Sequence, residues 1–195
     1  MIKKNSLETY KKRRNFTKSP EPTGEKIKSS REKIFVIQKH DASRLHYDFR
    51  IEIEGVLVSW AVPKGPSVNP KEKRLAVRTD DHPISYSKFE GIIPEGNYGA
   101  GTVMVWDIGK YKNIKTKDGK KIPMEQCLQN GQIEIWLEGK KLKGGYALIR
   151  MKRKGQWLLI KMKDEYASSR KNPVNTQTKS ALTERTLHEI KKDSL

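Results

Sequence analysis

Across residues 45–54 apolar and polar side chains alternate without a break, with Leu45, Tyr47, Phe49, Ile51 and Ile53 on one side and His46, Asp48, Arg50, Glu52 and Glu54 on the other. A period of two marks a strand with one face against a core. Residues 34–39 are β-branched and aromatic, and Asp41-Ala42-Ser43 supplies turn chemistry, so the two segments are expected to form a hairpin. Strand patterns recur at residues 56–62, 74–79, 101–107, 132–137, 145–152 and 156–161. Short strands at this spacing predict a mainly β fold, either a barrel or a sandwich. Helices are minor: residues 7–14, a turn near 124–128, and one or two turns within 182–192. Residues 17–24 read as a loop by their Pro and Gly content, and the polar stretch 168–180 lacks any apolar period and predicts disorder.

Composition changes the picture in two ways. The 195 residues, 34% of them hydrophobic, suffice for one modest core, so one domain with tails is expected. A formal charge of +18 and a pI near 9.9 favour a polyanionic partner, nucleic acid first. An anionic membrane ranks second, but no apolar run is long enough to span a bilayer and no basic helix is strongly amphipathic, so no membrane role is expected. The charge is uneven: residues 1–33 carry net +7 and residues 168–195 net +3. This divides the chain into a basic N-terminal arm (1–33), a central β domain (34–167) and a basic, disordered tail (168–195). No apolar segment follows the first lysines, so no secretory signal is expected. A single cysteine, Cys127, excludes an internal disulfide and fits the cytoplasm. Cys127 itself reads as a small buried hydrophobe.

The polar side of the hairpin carries the candidate chemistry. Only four histidines occur, and His40 and His46 flank one turn, with Asp48 two positions further on the same face. Two imidazoles and a carboxylate suit Mn²⁺, Fe²⁺ or Zn²⁺ with coordination positions left for water and substrate. Arg50, next on that face, offers the planar fork that grips phosphate. The alternative is a polar face that simply meets water, as in most antiparallel sheets. His82 precedes Pro83, which holds it extended at a strand end or loop. There it can contact a phosphate or pass a proton to a leaving oxygen, or it is satisfied by the backbone of a turn. The glycine run at 95–101 fits neither the Walker nor the dinucleotide spacing and reads as turns and close strand approach. The tryptophans fall in strands and read as core. Two rival functions remain at this level: a non-haem iron oxygenase using His46, Asp48 and His82, and a non-catalytic nucleic-acid binding module.

The ordered blocks His40-Asp-Ala-Ser-Arg-Leu-His46-Tyr-Asp48-Phe-Arg50, Gly55 to Pro66, Asp81-His82-Pro83-Ile-Ser-Tyr86, Phe89-Glu90-Gly91 and Pro94 to Gly101 resemble the 3′-phosphoesterase domain of bacterial DNA ligase D and its stand-alone relatives. The similarity continues to about Tyr166. It implies a small β-barrel with a polar, site-bearing face, short flanking helices and basic arms. It further implies His40, His46 and Asp48 as ligands of Mn²⁺, with Co²⁺ or Zn²⁺ as alternatives, and Arg50, His82 and Tyr86 as catalytic phosphate contacts. Gln38, Lys64 and Arg74 become supporting substrate contacts, and Arg14 and Glu21 match catalytic positions of the arm. The implied activity removes a 3′ ribonucleoside from a DNA end and then the 3′ phosphate left behind. Implied partners are DNA, DNA with 3′ ribonucleotide ends, and a separate ATP-dependent ligase, polymerase or Ku-type end-binding protein. Two departures stand out: Asn15 replaces an acidic residue, which raises the prospect of unequal steps, and Asp80 stands where Glu is common.

Overall fold

The expected hairpin forms as β1 (Ile34–Asp41) and β2 (Leu45–Ile53), antiparallel, with His40 opposite His46 and Gln38 opposite Asp48. The computed structural model describes residues 7–24 and 32–193. A tight turn at Glu54 and Gly55, both at positive φ, leads into β3 (Val56–Val62). Next come β4 (Lys73–Arg78), the two-residue β5 (His82–Pro83), a 3₁₀ turn at Ile84–Lys88, β6 (Gly91–Ile93) and β7 (Gly101–Asn113). A small hairpin of β8 (Thr116–Lys117) and β9 (Lys120–Lys121) precedes α2 (Met124–Asn130). The chain then forms β10 (Gln132–Gly139), β11 (Lys143–Arg150) and β12 (Gln156–Lys161). Helices α1 (Glu8–Lys12), α3 (Pro173–Thr176) and α4 (Leu187–Asp193) lie in the terminal segments.

Eight strands pair antiparallel in the order β1-β2-β3-β4-β12-β11-β10-β7, and β7 returns to pair with β1. The sheet is therefore a closed barrel rather than a sandwich, and closure leaves no open edge along that ring. One face of β1–β3 lines the interior: Phe35 stacks on Phe49, and Trp60 meets Trp157 of β12 at 5.5 Å across the core. The opposite face, which carries the polar residues of β2, is covered by residues 7–24 of the N-terminal arm and by residues 82–93. Tyr10 of α1 is fully buried there. Gly101 is required where β7 begins, because a Cβ would lie 2.3 Å from the Asp41 carbonyl oxygen. Strand β7 runs six residues past the expected end, with an irregularity opposite Ile37 and Gln38 that lets one long strand serve two neighbours.

The expected disorder of the tail is corrected. Residues 168–193 lie against the barrel, with Ile190 and Ala181 buried. Trp106 Nε1 donates to the Gln177 carbonyl at 2.6 Å, and the Ala181 amide donates to the Val105 carbonyl. Glu90, in the segment before β6, accepts from the Thr183 hydroxyl and also from Ser180. Two apolar anchors and a set of polar bonds hold a stretch whose hydropathy alone gives no such signal.

Just after β12, Asp164 caps the sheet end. Its carboxylate accepts from the amides of Gly145 (2.6 Å) and Tyr166 (2.9 Å) and from the buried Lys161 ammonium. Partial burial raises its pKa, but these bonds outweigh burial and leave it below the usual carboxylate value. Its stabilising contribution is complete above pH 4 and fades as pH falls through the lowered folded value. Asp164→Asn is expected to cost on the order of 1 kcal/mol at pH 7. The gap to wild type should narrow by pH 3, read by urea titration at both pH values.

Candidate active site

The hairpin register brings the predicted ligands together. The His40 and His46 rings lie 4.8 Å apart, and Asp48 Oδ2 is 3.6 Å from His40 Nδ1 and 3.7 Å from His46 Nε2. Both separations exceed a hydrogen bond, so the groups converge without satisfying one another. His46 Nδ1 lies 2.9 Å from the Arg44 carbonyl, which must accept, so the proton sits on Nδ1 and the Nε2 lone pair faces Asp48. His40 Nε2 is buried and makes no hydrogen bond among the described residues. A ligand atom from each of the three residues lies within 4.8 Å of the others. An orphaned buried nitrogen, a second nitrogen fixed by its tautomer and a carboxylate are a fitting donor set for a divalent transition metal. Burial works to raise the Asp48 pKa, but the Arg50 guanidinium beside it holds it well below the usual carboxylate range.

Arg50 is the hub of the second half of the site. Its Nε donates to Gln38 Oε1 at 2.8 Å, its Nη2 to Asp48 Oδ2 at 3.0 Å, and its Nη1 lies 2.9 Å from His82 Nδ1. Gln38 is held in turn by donating to the Tyr86 and Phe89 carbonyls, each at 3.0 Å. His82 arrives on β5, where Pro83 limits the strand to two residues paired with Val56 and Leu57 of β3. Its Nε2 lies 3.0 Å from Arg14 Nη2, and its Nδ1 lies 2.9 Å from the Asp80 carbonyl. A neutral imidazole has one lone-pair nitrogen and can accept from only one arginine. The Asp80 carbonyl assigns the hydrogen to Nδ1, and Nε2 accepts from Arg14. Burial first, then the two guanidiniums, push the His82 pKa well below its ordinary value, so the ring is neutral. Arg50 Nη1 is left facing an N–H and still needs an acceptor.

The arm closes this layer from above. Arg14 Nε donates to Glu21 Oε1 at 2.9 Å, and both side chains are almost fully buried. Glu21 also accepts from the Tyr86 hydroxyl at 3.0 Å and from the Ser19 hydroxyl at 2.9 Å. Burial and then Glu21 push the Tyr86 pKa well above normal, so the phenol keeps its proton. Tyr10 packs edge-on against both His82 and Tyr86, and its hydroxyl donates to the Pro22 carbonyl. A cavity of about 270 Å³ opens over these groups, with His40, His46, Asp48, Arg50, Arg14 and His82 in its wall.

Nine of the predicted residues are therefore gathered: His40, His46, Asp48, Arg50, His82, Tyr86, Gln38, Arg14 and Glu21. Gln38 differs from the expected substrate contact. Its amide is engaged by Arg50 and two carbonyls, which makes it a positioning residue. Lys64 and Arg74 are not gathered with the others: they line a separate pocket of about 210 Å³ with Pro63, Lys73 and Leu75 and do not line this cavity. Arg74 pairs with Glu72 instead. Arg78, which shares its side of β4 about 13 Å further along, is the arginine beside the His82 segment, paired with Asp81. Asn15 lies exposed in the arm, its Oδ1 accepting from the Thr17 amide and hydroxyl, and it does not border the cavity. Asp80 accepts from Arg13 at 2.9 Å and so helps fasten the arm. Tyr10, Ser19, Arg13 and Tyr98 were not predicted. Tyr98 alone carries a sequence signal, an aromatic residue placed within a glycine run.

The protein family described as the DNA ligase D 3′-phosphoesterase domain matches residues 38–150. A multifunctional non-homologous end joining protein LigD from Pseudomonas aeruginosa is 45% identical over 188 residues, which is 93% of this chain and 22% of that protein. The LigD of Mycolicibacterium smegmatis is 46% identical over 160 residues, covering 82% of this chain and 21% of the relative. The multifunctional non-homologous end joining DNA repair protein LigD of Mycobacterium tuberculosis is 42% identical over 161 residues, with 82% and 20% covered. The chain thus spans about a fifth of the length of these relatives. No helix among the described residues is long and apolar enough to cross a membrane.

Proposed function

The chain belongs to the DNA ligase D 3′-phosphoesterase domain family, and from that membership and the geometry of its site we propose that it is a metal-dependent phosphoesterase that heals 3′ ends in DNA break repair. One observation carries the reading: a metal-type donor set and two buried guanidiniums share one small cavity, where the His82 tautomer set by the Asp80 carbonyl leaves Arg50 Nη1 without an acceptor among the described residues, a role that a phosphate oxygen would fill. His40, His46 and Asp48 would hold Mn²⁺ or a related ion, which supplies Lewis-acid polarisation of the phosphoryl group and a lowered pKa for bound water.

The protein's own groups do the rest. Arg50 and Arg14 grip the non-bridging oxygens from two sides and stabilise charge as it gathers there. Burial, and then the field of the two guanidiniums, lowers the His82 pKa; a phosphate seated between them offsets the second of these and so moves His82 toward a proton-donating state. Gln38 and Glu21 hold Arg50, Arg14 and Tyr86 in place. The substrate is a DNA end bearing a 3′ ribonucleotide, then the resulting 3′ phosphate, and the product is a 3′ hydroxyl suited to a ligase. The proposed partners are a DNA ligase, a polymerase and an end-binding protein acting on the same break, in keeping with the relatives' role in end joining. Asn15 is exposed, bonds Thr17 and does not border the cavity, which supports retention of both steps.

The test is a labelled primer-template with one 3′ ribonucleotide, incubated with Mn²⁺ or with chelator. Metal-dependent shortening to a 3′ phosphate and then a 3′ hydroxyl is expected. An unchanged primer that is still bound would instead support the binding-module reading.

A second groove of about 510 Å³ is lined by Lys140, Lys141, Lys143, Arg170 and Lys171 and is suited to the phosphates of a duplex. Release of counterions from these and the arm cations should make binding fall on the order of 10²- to 10⁴-fold between 50 and 200 mM salt. Fluorescence anisotropy with a hairpin duplex reads this directly, and affinity indifferent to salt would exclude the electrostatic mode.

A further inference from the structure

Tyr98 is a large aromatic side chain left 47% exposed at the wall of the site. It sits in a loop braced by its own turns: the Asn97 amide and side chain both bond the Pro94 carbonyl, and the Ala100 amide bonds the Asn97 carbonyl. Gly96 and Gly99 on either side both adopt positive φ, so the backbone turns sharply and presents the ring outward. The loop lies against the metal-type cluster, since a Cβ on Gly99 would stand 3.8 Å from His40 Cε1. Two cations fix the ring: Arg13 lies 5.0 Å and Arg14 5.6 Å from its centroid, and Arg13 also donates to its hydroxyl at 3.2 Å.

An exposed ring anchored by arginines beside a phosphate-sized site has the chemistry of a base-stacking platform. The cavity volume suits one nucleoside rather than a duplex. We infer that Tyr98 stacks on the base of the terminal ribonucleoside, and so selects ends that carry a nucleoside beyond the scissile phosphate. This rests on the phosphoesterase reading above. Stacking is indifferent to which base is present, so any of the four should be accepted, as end healing requires.

The test compares two primers, one ending in a 3′ ribonucleotide and one ending in 1,4-anhydroribitol, the same sugar without its base. Wild type should process the base-bearing end roughly tenfold more efficiently, a difference in kcat/KM carried by KM. Tyr98→Ala should bring the ratio to about one. Tyr98→Phe lacks the hydroxyl that Arg13 uses but keeps the ring, so it should preserve the ratio, whereas a purely structural latch between loop and arm would be weakened by Phe and would not read the base. Equal ratios in wild type and Tyr98→Ala, with metal-dependent hydrolysis intact, would overturn the inference and leave the phosphoesterase reading standing. Absence of hydrolysis of either primer by wild type would overturn both.

Discussion

Replacement of His46 by alanine is expected to lower hydrolysis on the order of 10³-fold, because one of three cation donors disappears while the barrel does not depend on it. The His46 side chain is 22% exposed, against 8% for both His40 and Asp48, so its removal opens no sealed cavity. Its one hydrogen bond joins the turn to itself through the Arg44 carbonyl. Melting temperature and duplex affinity should stay near wild type. Calorimetric titration of Mn²⁺ should show weakened binding in the variant, which separates a lost ligand from a lost proton donor. A variant that unfolds would assign His46 a structural role, and one that retains both metal affinity and rate would remove it from the site.

The second large effect concerns stability. Glu21→Ala is expected to destabilise the protein by about 3 kcal/mol, because removing one partner of a buried ion pair strands the other. Arg14 would be left almost fully buried without its carboxylate, and the Tyr86 hydroxyl and Ser19 would each lose an acceptor. For a chain of this size that corresponds to roughly 6–12 °C in melting temperature. Activity should fall with it, since Arg14 and Tyr86 lose their orientation. Glu21→Gln retains the shape and one acceptor and should lose less stability than Ala. Limited proteolysis within residues 7–24 provides an independent reading, because Glu21 accepts from Tyr86 and orients Arg14 toward His82, two buried polar bonds that tie that segment to the barrel side of the site. Equal stability of Glu21→Ala and wild type would mean that the arm is seated by its other contacts, the buried Tyr10 and Leu7 and the Arg13–Asp80 pair.

The difference between what was legible in the sequence and what was not follows from distance along the chain. His40, His46 and Asp48 meet through a hairpin whose register is set by strict alternation and a short turn, so period and turn chemistry were enough to place them. Arg50 followed from the same alternation. Arg14 and Glu21 reach His82 and Tyr86 from more than sixty residues away, out of an irregular arm that has no period, and only the family resemblance pointed to them. Lys64 and Arg74 show the converse. Both were implied by the resemblance alone, and although Arg74 falls on its expected strand, where that strand's side chains stand relative to the cavity follows from how the strands pack, which local pattern does not encode. The tail was misread because hydropathy weighs apolar residues, whereas this segment is fastened by Glu90, by backbone carbonyls and by two small apolar contacts.

The strand order also bears on how the protein comes into being. Strand β4 lies beside β12, with Ala76 opposite Trp157, so the ring cannot close until a partner about eighty residues downstream has been made. Pairings of that range slow folding, since a long loop must be ordered before any contact rewards it. During synthesis the metal-type hairpin can form early, while Trp60 and β4 wait uncovered for the last strand to emerge. Premature release at that stage would leave a long unpaired β edge, and the interval before β12 arrives is the point at which this chain is most open to aggregation.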